Sequence, residues 1–416
     1  MLGTVLTVAW MEVASASVTY STAARVDSRV RSNEDPTPDA PRVAGDTDVT
    51  PLLGLELRDG NAALQVEYGP RISLREVTAR PRTEVQHMGR LIGLWRPERG
   101  LSLRLSEELV LGSVNLLTTD LGSLPGGTPG SDPDGPLRPP GGGGPLQPLP
   151  QADTVYFLSS ATTLTADTGW LGRRWNITGS GGFSISGGMD GPAREAVPLQ
   201  YGPRADASLS HALSPLTAIT TSVAFNYARF STGANNTIVT LREAWGHRLN
   251  RLTSLEAGAG VSVVSSVPVP PAEGEPEPGP LDGPRTELLP NLNLGVSHRV
   301  PSRTADFNGR ADLRIVPFTD RLTARVYPRA DLTLTGTWAL GPRVRVSAIG
   351  GGAAAVGGSS GDSILSGGFT GSWILSRWVS VDTDIRGTWS RSPELPAARL
   401  TWAATLGLSV RQTGTL

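Results

Sequence analysis

The chain contains no cysteine and no lysine. Without cysteine there is no disulfide framework, no thiolate metal site and no cysteine nucleophile. Without lysine all 37 basic residues are arginine, and against 38 acidic residues they leave a net charge of -1, which gives no electrostatic footprint for a nucleic-acid partner. Long apolar runs are missing as well: nothing approaches the roughly 18 consecutive apolar residues of a transmembrane helix. Histidine is scarce, with four residues at His87, His211, His247 and His298, and none has an acid or serine at a spacing that suggests a triad or a metal site. No phosphate loop or zinc signature occurs. The reading is therefore of a protein that is not an enzyme, with no catalytic residue, no cofactor and no metal.

What is present is alternation. From Leu322 to Leu340 the apolar set Leu322, Ala324, Val326, Pro328, Ala330, Leu332, Leu334, Gly336, Trp338 and Leu340 is interleaved with Thr323, Arg325, Tyr327, Arg329, Asp331, Thr333, Thr335 and Thr337. Successive side chains of a strand point to opposite sides, so this pattern predicts a long strand with one greasy and one wet face. Strands 62–75, 199–210, 305–315, 379–390 and 400–411 repeat it. Their wet faces carry the charges, and we take Arg71, Arg75, Arg204, Asp206, Asp306, Arg310, Asp312, Arg314, Arg325, Arg329, Asp331, Asp382, Asp384 and Arg386 as residues lining a pore. Such rows could set the selectivity of a channel, or they could be cross-strand ion pairs that stiffen a wet interior.

Counting these segments gives about 18 strands, an even number. The breaks between them are of two kinds in strict alternation: short turns such as Asp59-Gly60-Asn61 and Gly341-Pro342, and longer ones at 28–49, 78–86, 115–152, 187–197, 268–285 and 356–362. Two of the latter, 115–152 and 268–285, are low-complexity Pro/Gly-rich loops. The segment 1–16 reads as a signal peptide ending at Ala14-Ser15-Ala16, leaving 17–416 as one domain. Ten Trp against seven Phe, with Trp338, Trp373, Trp378, Trp389 and Trp402 near strand ends or on apolar faces, fit an interfacial girdle, although packing anchors would look the same. Tyr-Gly-Pro-Arg occurs at 68–71 and again at 201–204; a proline inside a strand removes a ladder hydrogen bond, so these positions should be bends or bulges.

By this pattern, over nearly its whole length, the chain resembles bacterial outer-membrane β-barrels. The resemblance implies an all-β, antiparallel, up-and-down transmembrane barrel in the Gram-negative outer membrane, with short periplasmic turns and long outer loops. It implies contact with outer-membrane lipids and lipopolysaccharide, and delivery by the barrel-assembly machinery. It further implies a channel for hydrophilic material, either the barrel of a polysaccharide-export translocon, with a periplasmic polysaccharide-export lipoprotein as partner, or a general diffusion porin. A scaffolding barrel that anchors an envelope-spanning machine is the third reading.

Overall fold

In a bilayer no water is available to pair backbone N–H and C=O groups, so a strand can cross only if both of its edges are occupied. The computed structural model describes residues 17–32, 43–77, 80–98, 100–115, 154–168, 174–267, 284–302, 305–321, 324–357, 363–391 and 399–415. Their strands are β1 (Ser17–Ser32), β2 (Val43–Asp59), β3 (Ala62–Val77), β4 (Arg80–Glu98), β5 (Leu101–Asn115) and β6 (Thr154–Thr168). Next come β7 (Trp175–Gly188), the short helix α1 (Gly191–Ala196), β8 (Gln200–Ser214), β9 (Thr217–Phe230), β10 (Asn235–Arg248), β11 (Thr253–Val267) and β12 (Arg285–Val300). The last are β13 (Asp306–Thr319), β14 (Val326–Leu340), β15 (Val344–Ala355), β16 (Ser363–Ile374), β17 (Val379–Arg391) and β18 (Arg399–Thr415). Each strand pairs antiparallel with its sequence neighbours, and β1 pairs with β18 as well as β2, so the 18-stranded sheet closes with no free edge.

The alternation separates the faces as the sequence implied. In β14, Leu332, Leu334, Trp338 and Leu340 are exposed, and their register partners include Leu313, Phe307, Val346 and Gly350. An apolar residue exposed on every strand of a closed sheet is one that faces lipid. Tryptophans ring this outer face: Trp95, Trp175, Trp245, Trp338, Trp373 and Trp378 lie at the short-turn end, and Trp389 and Trp402 at the other. Among the described side chains, Glu107 and Glu243 break the apolar rule in mid-strand. Glu107, between Leu105 and Leu109, accepts hydrogen bonds from Ser160 (2.7 Å) and Thr162, and Glu243 lies between Leu241 and Trp245 on β10.

Several boundaries move. The predicted break 28–49 shrinks, because β1 runs to Ser32 and β2 starts at Val43; the predicted break 78–86 is mostly strand, since β3 and β4 pair as far as Val77 with Arg80. Of the strand expected over 322–340, positions 322 and 323 lie outside the described residues and β14 begins at Val326, with the Asp320 N–H donating to Arg325 O at 2.9 Å just before it. The break 187–197 contains α1, whose Asp190 N-cap accepts from the Ala193 N–H at 2.8 Å. Segment 1–16, most of 115–152 and nearly all of 268–285 lie outside the described residues.

Both Tyr-Gly-Pro-Arg copies interrupt a ladder. In the β2–β3 ladder no pair forms between Val49↔Ile72 and Leu53↔Tyr68, and in the β8–β9 ladder none forms between Tyr201↔Arg229 and Arg204↔Asn226, while the register on either side stays the same, so neither copy is a bulge. At the second copy a Cβ on Gly202 would collide with Tyr227 O, so only glycine fits beside β9.

The face assignment makes a prediction. Leu334→Arg places a guanidinium against lipid and should cost about 2–4 kcal/mol, whereas Thr335→Arg, one residue on, should cost less than ~1 kcal/mol. Urea unfolding of the barrel in vesicles measures both; equal stabilities would mean the faces are reversed.

Candidate functional site

The inward faces of β1 to β4 hold a buried charge network near the loop end. Alternation brings Asp27, Arg29 and Arg31 of β1 to the same face as Asp46 and Asp48 of β2, Arg71 and Arg75 of β3, and Glu84 and Arg90 of β4. Arg31 Nε is 2.8 Å from Asp46 Oδ2, and Arg75 Nη1 approaches the same oxygen at 3.9 Å. Arg75 Nε also meets Glu84 Oε2 at 2.6 Å. Arg71 pairs with Asp48, which Arg29 Nη2 approaches at 4.0 Å. Arg31, Asp46, Asp48, Arg71, Arg75, Glu84 and Arg90 are all buried. Arginine suits this arrangement because its planar fork can serve two carboxylates at once and stays charged when desolvated.

Two connections fold inward onto this interior. Ala193 and Val197, in and just after α1, pack with Met88, Val110, Val155 and Phe157, all on the inward faces of β4, β5 and β6. In the β13–β14 connection, Ala324 packs with Ala228, Phe230 and Ala234, and its carbonyl accepts from Asn236 Nδ2 at 2.8 Å. From β6 to β12 hydroxyls and amides are frequent on the inward face, among them Ser159, Thr163, Thr178, Ser180, Ser208, Ser222, Thr240, Ser262, Asn291 and Asn293, interspersed with charges such as Arg204, Asp206 and Glu256. Several bond to each other, as in Thr240 with Ser262 (2.8 Å) and Ser254 with Ser297 (2.6 Å).

Of the fourteen residues read from the sequence, thirteen lie on inward-facing strand positions and Arg325 lies in the connection between β13 and β14. Arg71 and Arg75 join the buried network. Others pair with a neighbour two residues along the same face: Arg310 with Asp312, Arg329 with Asp331 (2.8 Å), and Arg386 with Asp384 (2.6 Å). Arg204 donates to Thr163 Oγ1 at 2.6 Å, Asp206 accepts from Ser180, and Asp382 meets Arg25 at 3.3 Å. Asp306 instead closes the β12–β13 turn, accepting from the Ser302 N–H at 2.9 Å and pairing with Arg299 at 3.7 Å. Arg314 faces inward opposite Asn293 and Asp331.

Sequence reasoning misses Arg29, Arg31, Asp46, Asp48 and Glu84 because they fall in segments that read as loops. The signal exists nonetheless, in Val26, Ser28 and Val30 alternating with Asp27, Arg29 and Arg31. The histidines stand on the outer face, where His211 lies 3.8 Å from Trp175 by ring centroids and His298 Nδ1 is 2.9 Å from Thr253 Oγ1. Among the described residues no group of His, Asp and Glu is arranged to hold a metal ion.

Among known proteins, a family model described as the EpsX exopolysaccharide export family matches residues 10–416. Similar solved structures include Pseudomonas aeruginosa OpdL, at 11% identity over 97% of this chain and 99% of that one with a TM-score of 0.43. The outer membrane protein OpdK of Pseudomonas aeruginosa is 8% identical over 95% and 99%, with a TM-score of 0.45. Acinetobacter baumannii OccAB4 is 8% identical over 95% and 98%, with a TM-score of 0.44. No curated protein matches.

The network predicts a specific weakness. Asp46→Ala leaves Arg31 and Arg75 buried without their shared carboxylate and should destabilise the barrel by about 3–5 kcal/mol. The check is the urea midpoint at which the folded, fast-migrating gel band is lost, and a change below ~1 kcal/mol would show the pairs to be dispensable.

Proposed function

The chain belongs to the EpsX exopolysaccharide export family, and from that membership we propose that its barrel is the conduit by which a secreted polysaccharide crosses the outer membrane. The protein is an outer-membrane β-barrel of the channel-forming kind, in contact with membrane lipid around its full circumference. An 18-stranded wall is wide enough to enclose an aqueous path.

The observation that carries the polymer reading is the composition of the inner wall. A polysaccharide presents hydroxyls along its whole length, and moving it requires contacts that form and break with little net change. The Ser, Thr and Asn lining from β6 to β12 offers such exchange, since neutral hydrogen bonds made in place of water are worth only about 0.5–1.5 kcal/mol each. The buried ion pairs on β1 to β4 serve a different purpose in this reading, holding one side of the wall rigid beside the moving chain. Arg204 on β8, Arg310, Asp312 and Arg314 on β13, and Arg386 on β17 add charge to the same inner wall, where Arg310 is paired with Asp312 and Arg386 with Asp384. The partners follow from this role. A periplasmic polysaccharide-export lipoprotein would meet the short-turn end, and the barrel-assembly machinery would insert the sheet.

Deleting the gene should abolish one secreted polysaccharide and leave uptake of small solutes unchanged; polysaccharide secreted at the parental level would refute the conduit. In planar bilayers, Arg310→Glu reverses a charge on the inward face and should shift the reversal potential measured in a salt gradient toward cation preference. An unchanged potential would remove Arg310 from the path.

A further inference from the structure

Arg321 is the described arginine whose charge is least accounted for. It follows β13 in the connection drawn inward by Ala324, which packs on Ala228 and Phe230 of β9 and accepts from Asn236 of β10. Those partners belong to inward faces three and four strands away, and Arg321 stands three residues before Ala324 in the same connection. It is 5% exposed, and Nη1 has no hydrogen-bond partner among the described residues. Burial pushes its guanidinium down to about 10, with no acidic group acting against the shift.

Other buried arginines are held differently. Arg31, Arg71, Arg75 and Arg329 are buried to the same degree, and each has a carboxylate within ion-pair distance. Arg329 also stacks over Phe318, its Cζ 3.7 Å from the ring centroid. Arg321 forms no ion pair with any described carboxylate. A buried charge without a counter-charge is among the costlier features a fold can keep. Here it sits beside a second cost, the left-handed backbone of Ala324 (φ 54°).

We propose that Arg321 is a binding residue for an oxyanion substituent on the exported polymer, a sugar carboxylate, which supplies the counter-charge that no described residue provides. This rests on the polysaccharide-conduit reading and names the chemistry of its cargo. A guanidinium presents two parallel N–H donors that match a carboxylate, and away from water such a pair is stronger than at a surface. The polymer would therefore be acidic at intervals and hydroxyl-rich between them, gliding past the Ser, Thr and Asn arc and pausing at Arg321.

The test uses the full-length barrel in planar bilayers, with hexagalacturonate or maltohexaose added to either side. Wild type should be blocked by hexagalacturonate at a concentration about tenfold lower than by maltohexaose. Arg321→Gln should lose that discrimination while keeping its maltohexaose block, which also shows the variant to be folded, and Arg321→Lys should keep part of it. Equal block of wild type by both oligomers, or undiminished discrimination in Arg321→Gln, overturns the assignment. So does block by inorganic phosphate at the concentration at which hexagalacturonate acts, since the site would then be one for any small anion. The deletion strain separates the two readings: continued secretion refutes the conduit and this inference with it, whereas lost secretion with unaltered discrimination in Arg321→Gln refutes this inference alone.

Discussion

Everything in this molecule follows from the requirement that backbone hydrogen bonds be complete where no water can reach them. A sheet meets it by closing, and the pairing of β1 with both β2 and β18 is the contact that turns a run of neighbouring hairpins into a wall with no edge. Once the wall is closed, each strand has a lipid side and an inner side, and the residue types sort accordingly. Leu, Val and Trp cover the outside, while Arg, Asp, Ser, Thr and Asn are left with the interior. Inside, polar groups must satisfy one another or the solvent, which explains why so many charges have partners two residues away or directly across a strand pair.

The interior is uneven around its circumference. On β1 to β4 the wall is knitted by buried guanidinium–carboxylate contacts, and next to it α1 adds an apolar plug of Ala193 and Val197 against Phe157 and Met88. From β6 to β12 small hydroxyls and amides become frequent on the inward face, and from β13 to β17 ion pairs along single strands return. A lysine-free composition is consistent with the first arc, where one cation must bridge two acids at once, as Arg75 does between Asp46 and Glu84.

Much of this was legible in the sequence because a barrel strand writes both of its environments into every second residue. Leu332, Leu334 and Trp338 against Asp331, Thr333 and Thr335 leave little room for another structure. Legibility failed where the contrast between faces fell. Around Ala44 to Thr50 the outward positions include Gly45 and Thr47, and 78–86 opens on residues with no alternation, so both stretches read as loop although the backbone is paired over 44–49 and 80–86. The inward connection between β13 and β14 was hidden for another reason. What pulls it in is Asn236, 88 residues earlier, and no local pattern records a contact at that separation. The same holds for the single carboxylate that serves Arg31 and Arg75, since burial of a charge is decided by the assembled wall.

The strands are not of equal length: β4 has 19 residues and its neighbours β2 and β3 have 17 and 16, while β15 and β16 have 12 each. With the short turns defining a common floor, about 3.3 Å per residue and a tilt near 40° put the top of β4 roughly 18 Å above that of β15. The rim therefore drops in one place: β17, with 13 residues, pairs with β18, with 17, so the tall sector from β18 to β4 stands directly beside the short strands β15 to β17, and the inner wall is shallowest there.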